Sequence, residues 1–571
     1  MSSGLFDIGA KRGPVHPQPA PQFPVVLIEP KQPQAADPQA PSLACLGDEI
    51  ITIIADLLQD TSPQATSSLA LVCSAYHRIV RYTQHRELVL GNSARKLDYV
   101  TRSGILQAVR KLEVHSDIFL SQLCELIPKM TGLKHIMWPN IPKPIIRLLR
   151  PRPSIRIHTE ITDRWNPKNL SLLRENKNVA SLKVSIPYNN AEECLRWTKP
   201  LKRVILSCPN IRKLSLNIHL RQDGYQMHMP PLEYCGFGFV DGEHPPALEE
   251  LELEAYPFGI CSPDHPRPNN FTIHSRGYPL RVHEMDYWQS HFDWSKLRRL
   301  TIRDSGFAMK IMPQLTSLES IGGFRNSGST VIHGAFSLVP SSLRSIGAPK
   351  IADVGLENLL RHGNTLRSLT IHQDEDYEGR WRHETINAET LIKIRDRCPH
   401  IEELNLDISR NGDWPYEMLD ILASFNSLRS LTIWFELGLD SRSKPVKPYV
   451  TFSAVGRLFQ YLREHAASQN TRLRKATFIS GSAPRVVFDV ISKEAYWASS
   501  NSSRFVCTLS DRDDGVKKGV FNVTCANQGQ LENEYLWRHA AGEKHIAILR
   551  SLSEPLLIAR DGPIPLPEWI L

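Results

Sequence analysis

The sequence predicts an α/β chain in which a short helical module precedes a long array of strand-and-helix repeats, closed by an α+β segment. Three observations predict it. A hexad of the form apolar-x-x-Leu-x-apolar returns along most of the chain. Stretches with helical apolar spacing precede those hexads. Near the front, Leu46 to His77 carries more apolar side chains than about forty residues of compact helices can bury among themselves.

Residues 1–42 come first, with prolines at 14, 17, 19, 21, 24, 30, 33, 38 and 41. Such a composition buries too little apolar surface to offset its ordering entropy, so the expectation is a disordered or extended lead. In residues 43–90, Leu46, Ile50, Ile53, Ile54, Leu57 and Leu58 recur at helical steps. After a polar connector, Thr66 or Ser67 is expected to cap a second helix carrying Leu69, Val72, Cys73 and Tyr76, extended by Ile79 and Val80. The excess of apolar surface implies a partner.

These residues resemble an F-box, the three-helix module that docks a substrate receptor onto the Skp-type linker of a cullin–RING ubiquitin ligase. The resemblance lies in Leu46-x-x-Glu49-Ile50, in Leu57-Leu58, and in Ser68-Leu69-x-Leu71-Val72-Cys73 with an aromatic after it. Gly47 stands where the family has proline, which would pre-set the helix start. The resemblance assigns Leu46, Ile50, Ile54, Leu57, Leu69, Val72 and Cys73 to linker docking or to the module's own core.

The array is expected over residues 91–480. Clear hexads begin at Ile211, Leu248, Leu297, Leu366, Ile401 and Leu428, and weaker ones at Val109, Leu133, Val179, Leu318, Leu343 and Leu473. Starts at 297, 318, 343, 366, 401 and 428 lie 21, 25, 23, 35 and 27 residues apart, which brackets the leucine-rich-repeat period. Leu391, Ile394 and Cys398 form a helical pattern before Ile401, and Met418, Leu422 and Phe425 form another before Leu428. Cys208-Pro209-Asn210 and Cys398-Pro399-His400 stop two helices at matching places. Each repeat thus gives one parallel strand to an inner sheet and one helix to the outside, a right-handed leucine-rich-repeat solenoid. Together with the front module, the pattern resembles fungal-type F-box proteins with degenerate leucine-rich repeats. Residues 481–571 read as a cap, with strands at 485–490, 505–509 and 520–524, a helix at 530–552, and an apolar tail at 562–571 that packs back.

On a repeat strand the leucines point inward and the alternate residues face the concave side. That places Glu250, Glu252 and Glu254 on one strand and Arg299, Thr301 and Arg303 on a later one. His372 and Trp434 follow on others, with Trp434 as an aromatic anchor for a client protein. The interval between Leu248 and Leu297 is long enough to hide a further strand, so lateral pairing of Glu250 with Arg299 is conditional on adjacency. The segment Tyr256–Trp294 holds His283, Glu284, Asp286, His291 and Asp293 and is expected to be a loop on the rim. Its spacing matches no zinc motif. Asp374 to Glu378 is expected to be another exposed loop.

The remaining features exclude function classes. No nucleophile elbow, phosphate loop or dinucleotide fingerprint occurs, so neither an enzyme nor a cofactor or metal site is expected. The ten cysteines form no Cys-x-x-Cys pair, which argues for reduced thiols in the cytoplasm or nucleus. A net charge of +8 over 571 residues, without a Lys/Arg block, is a weak nucleic-acid signal. No apolar run is long enough to cross a bilayer. The expectation is a substrate-recognition adaptor, with the Skp-type linker, the cullin–RING core and an unidentified client as partners. The competing expectations are a repeat scaffold outside ubiquitin ligation, a hydrolase in the histidine-bearing insertion, and a nucleic-acid binder.

Overall fold

The computed structural model describes residues 46–61, 63–91, 95–115, 119–221, 235–240, 242–258, 284–324, 329–375, 384–438, 446–465, 473–481, 502–509, 521–525 and 556–558. The expected proline-rich lead, the strand at 485–490, the helix at 530–552 and the apolar tail lie outside these residues.

Three helices open the fold: α1 (Asp48–Thr61), α2 (Pro63–Ala70) and α3 (Ser74–Gln84). The Gly47 carbonyl accepts from the N–H groups of Ile50 and Ile51, which starts α1 without a side-chain cap. Helix α2 begins at Pro63. The expected single second helix is two helices. Cys73 is extended (φ −158°, ψ 166°), and its Sγ accepts from the Tyr76 N–H, so it ends one helix and caps the next. Ile51, Ala55, Leu69, Tyr76, Ile79 and Val80 form a small core of their own. Leu46, Ile54, Leu58 and Ala70 pack partly buried against it.

Among the described residues, seventeen strands form one open sheet. It begins with β1 (Glu87–Leu90), inside the segment expected to be wholly helical, and continues through β2 (Lys111–Val114), β3 (His135–Met137), β4 (Arg156–Thr162) and β5 (Val179–Tyr188). Next come β6 (Lys213–Leu220), β7 (Glu250–Ala255), β8 (Arg299–Ile302), β9 (Ser320–Gly322) and β10 (Ser345–Ala348). The series runs on through β11 (Ser368–Ile371), β12 (Glu403–Ile408), β13 (Ser430–Phe435) and β14 (Lys475–Ser480). From β1 to β14 each strand pairs in parallel with its sequence neighbours. Then the direction alternates: β15 (Ser503–Leu509), β16 (Phe521–Cys525) and β17 (Leu556–Ile558) continue the sheet antiparallel.

The inward leucines build a core running from Leu88 to Val523, separate from the module's. Residues in register, such as Leu251, Leu300 and Ile321, are buried one beside the next. The helices Ala191–Ser207 and Ala388–Arg397 end at Cys208 and Cys398, both fully buried, at the Cys-Pro turns. The rear of the expected rim loop departs from expectation. Glu284–His291 is a helix whose Trp288 is fully buried among Phe237, Tyr256, Phe258, Phe292 and Phe307. These rings, with Phe239 as a sixth, pull it onto the array. His283 lies outside the described residues, and among those described no three His, Cys, Asp or Glu side chains converge as a metal site.

Candidate functional site

Two surfaces hold the candidate residues. On the module, α1 divides its apolar residues by helical phase. Ile51 and Ala55 face inward, and Ile50, Ile53 and Leu57 face water, at 48%, 59% and 60% exposure. In the turn between α2 and α3, Leu71 and Val72 are 86% and 63% exposed, and Cys73 is also exposed. The docking and core roles left undivided by sequence therefore separate. Leu69 belongs to the core, Leu46 and Ile54 lie at its margin, and Ile50, Leu57, Val72 and Cys73 are open. Ile53 and Leu71 join the open set. Their signal was available, since Ile53 follows Ile50 by three positions and lies on the same helix face.

Charges frame this surface. Arg78 Nη2 lies 3.2 Å from Asp48 Oδ2, tying α3 to the start of α1. Arg86, at the end of the module, reaches Asp56 at 3.1 Å. Its carbonyl accepts from the N–H groups of Arg110 and Lys111, so one residue joins the module to the first turn of the array.

On the sheet, β7 and β8 are neighbours, with Glu250 in register with Arg299. No strand intervenes. Glu250 Oε1 accepts from Lys213 Nζ at 2.8 Å and from Arg299 Nη1 at 3.0 Å, a ladder across β6, β7 and β8. Glu252 accepts from Ser215 Oγ at 2.7 Å, and Glu254 and Arg303 are half-buried near the strand ends. Surface ion pairs of this kind contribute roughly 0–1 kcal/mol each.

Farther along, His372 and Trp434 meet. Their rings stack at 3.9 Å between centroids with 13° between planes, and Asp407 is the register partner of Trp434. His372 Nδ1 lies 2.6 Å from Asp407 Oδ1, and Nε2 lies 3.3 Å from Asp374 Oδ1. Asp407 is only 2% exposed, although its strand position faces outward. Burial works against a charged imidazole here, but the hydrogen bonds and charges of Asp374 and Asp407 outweigh it and push the His372 pKa up to about 9. Trp434 thus stands as a pre-ordered platform. Glu375, in the stretch expected to be an exposed loop, is half-buried and accepts from the Leu437 N–H.

Neither a protein-family model nor a curated relative matches the chain. Among solved structures, 58% of the chain is similar to the crystal structure of a TLR13-ssRNA13 complex, at 11% identity and a TM-score of 0.20. The chain spans 36% of that protein's length. Among the described residues no helix is long and apolar enough to cross a membrane.

Proposed function

We propose that this protein is a substrate-recognition adaptor of a cullin–RING ubiquitin ligase, acting in the cytoplasm or nucleus. On this reading α1, α2 and α3 are an F-box-like module that docks on the Skp-type linker. Strands β1 to β14 are an irregular leucine-rich-repeat solenoid that holds the client, and β15 to β17 belong to its C-terminal cap. The chain makes and breaks no bonds itself. It raises the client's local concentration beside a charged ubiquitin-conjugating enzyme.

One observation carries the reading. The module completes a small core and still leaves Ile50, Ile53, Leu57, Leu71 and Val72 in solvent, at positions where burial would be worth roughly 1.5–3 kcal/mol per side chain. Clients are read by the platform of His372 and Trp434 and by the Glu250–Arg299 ladder with Glu252, Glu254 and Arg303.

The test is affinity capture with Ile50→Asp and Val72→Asp together. Both side chains are exposed, so the array keeps its melting temperature while linker and cullin are lost from the eluate. Retention of linker by the double variant sinks the assignment. Capture of linker without cullin favours a repeat scaffold outside ubiquitin ligation.

A further inference from the structure

The chain has no basic block in sequence, yet the sheet assembles one at the edge where its strands begin. The residues just before β8 to β14 are, in order, Arg298, Glu319, Arg344, Arg367, Glu402, Arg429 and Arg474. Backbone bonds join them in one row: from Glu319 to Arg474, the N–H of each donates to the carbonyl of the one before. Adjacent strands are about 4.8 Å apart, so the row is about 29 Å long. Its arginines are all exposed and its glutamates half-buried, and Lys475, which opens β14, is exposed too.

The charges in this row do not cancel. Glu402 Oε1 lies 2.8 Å from Arg367 Nη1, and its Oε2 lies 3.8 Å from Arg429 Nε. Arg298, Arg344 and Arg474 form no ion pair among the described residues. Arg344 stands beside Arg367, and Arg429 beside Arg474, and like charges on neighbouring strands are destabilising. Counter-charge from a partner relieves both pairs.

Two features choose among polyanions. A nucleic-acid strand carries a phosphate at every nucleotide, so it would also meet Glu319 and Glu402. None of the residues that precede or open these strands is aromatic, so bases have nothing there to stack on. An extended peptide can set carboxylates on the arginines and leave the glutamates to neutral side chains.

We infer that the strand-entry edge from β8 to β14 binds an acidic, extended segment of a partner protein, with Arg298, Arg344, Arg367, Arg429 and Arg474 taking its carboxylates. About nine extended residues span the row. The edge belongs to the array alone, so capture of this partner is independent of docking by the module.

The test uses the full chain and a fluorescein-labelled peptide of alternating glutamate and serine, about twelve residues long, read by fluorescence anisotropy. The peptide is expected to bind, to weaken as salt rises, and to bind more tightly than its glutamine counterpart or an oligouridylate RNA of equal length. Arg298→Gln with Arg344→Gln breaks no ion pair and is expected to weaken binding about fivefold. Lys199→Gln with Arg203→Gln removes the same charge from exposed positions on the helix Ala191–Ser207 and leaves binding unchanged. No binding of the glutamate peptide, binding as tight by the glutamine peptide or the RNA, or a loss no greater in the first variant than in the second each overturns the inference.

Discussion

Two opposing effects act on His372: burial disfavours its cationic form, and the carboxylates of Asp374 and Asp407 favour it. Because the folded pKa, about 9, lies above the unfolded value of 6.5, the gain is fully present below pH 6.5 and is lost as pH rises through 9. Its size is on the order of 2–3 kcal/mol after allowing for partial exposure. His372→Gln is therefore expected to lower stability at pH 6 and to flatten its decline between pH 6.5 and 9, as read by urea midpoints across that range. Glu284 shows the acid counterpart. Burial raises its carboxyl to about 8, while it accepts hydrogen bonds from the Phe237 N–H, the Tyr256 hydroxyl and Trp288 Nε1. A raised acid pKa contributes stability below 4.5 that fades as pH climbs through 8, so Glu284→Gln removes that slope. On the sheet face, Trp434→Ala is expected to weaken capture of a verified client more than tenfold, since anchors of this kind carry about 2 kcal/mol or more. Reversal of Glu250 and Glu254 to lysine should lower affinity with a change in salt dependence. Unchanged capture by both variants would exclude this face.

Among the elements, the strands were the most legible part of the fold. Every hexad named from sequence is a strand or leads into one, because a leucine pair flanking polar residues suits an element buried on one side. β4 (Arg156–Thr162) escaped notice, since it alternates without that leucine pair. The break between α2 and α3 was hidden because a thiol is not among the usual capping side chains. The Glu250–Arg299 adjacency was hidden by chain length: the intervening residues contribute the helix Glu284–His291, a short 3-10 turn at Trp294–Lys296 and no strand among those described. Their aromatic content (Tyr256, Phe258, Tyr287, Trp288, Phe292, Trp294) was the available sign that this segment packs onto the core. Tight seams between elements make a further prediction. A Cβ at Gly363, two residues past the helix Leu356–Arg361, would lie 2.2 Å from the backbone oxygen of Arg397 at the end of the neighbouring helix. Gly363→Ala must displace backbone and should cost about 1–3 kcal/mol, measurable as a lower denaturation midpoint with unchanged slope.

For the whole molecule, a long array stabilised by neighbour-to-neighbour packing responds locally to damage. Leu369→Ala, at a fully buried position in β11, is expected to cost about 2–5 kcal/mol. Hydrogen exchange should quicken in β10 to β12 well before β4 to β6; uniform loss of protection would mean a single cooperative unit. The module, with its separate core, should keep its own exchange pattern throughout. The reversal of direction after β14 has a consequence for self-association. A bare parallel edge would offer a second molecule's leading strand the same hydrogen-bond spacing its own neighbour offers, and head-to-tail fibres could grow from it. With β15, β16 and the three-residue β17 continuing the sheet antiparallel, the parallel edge of β14 is covered, and among the described residues the sheet ends in a strand too short to be a good template.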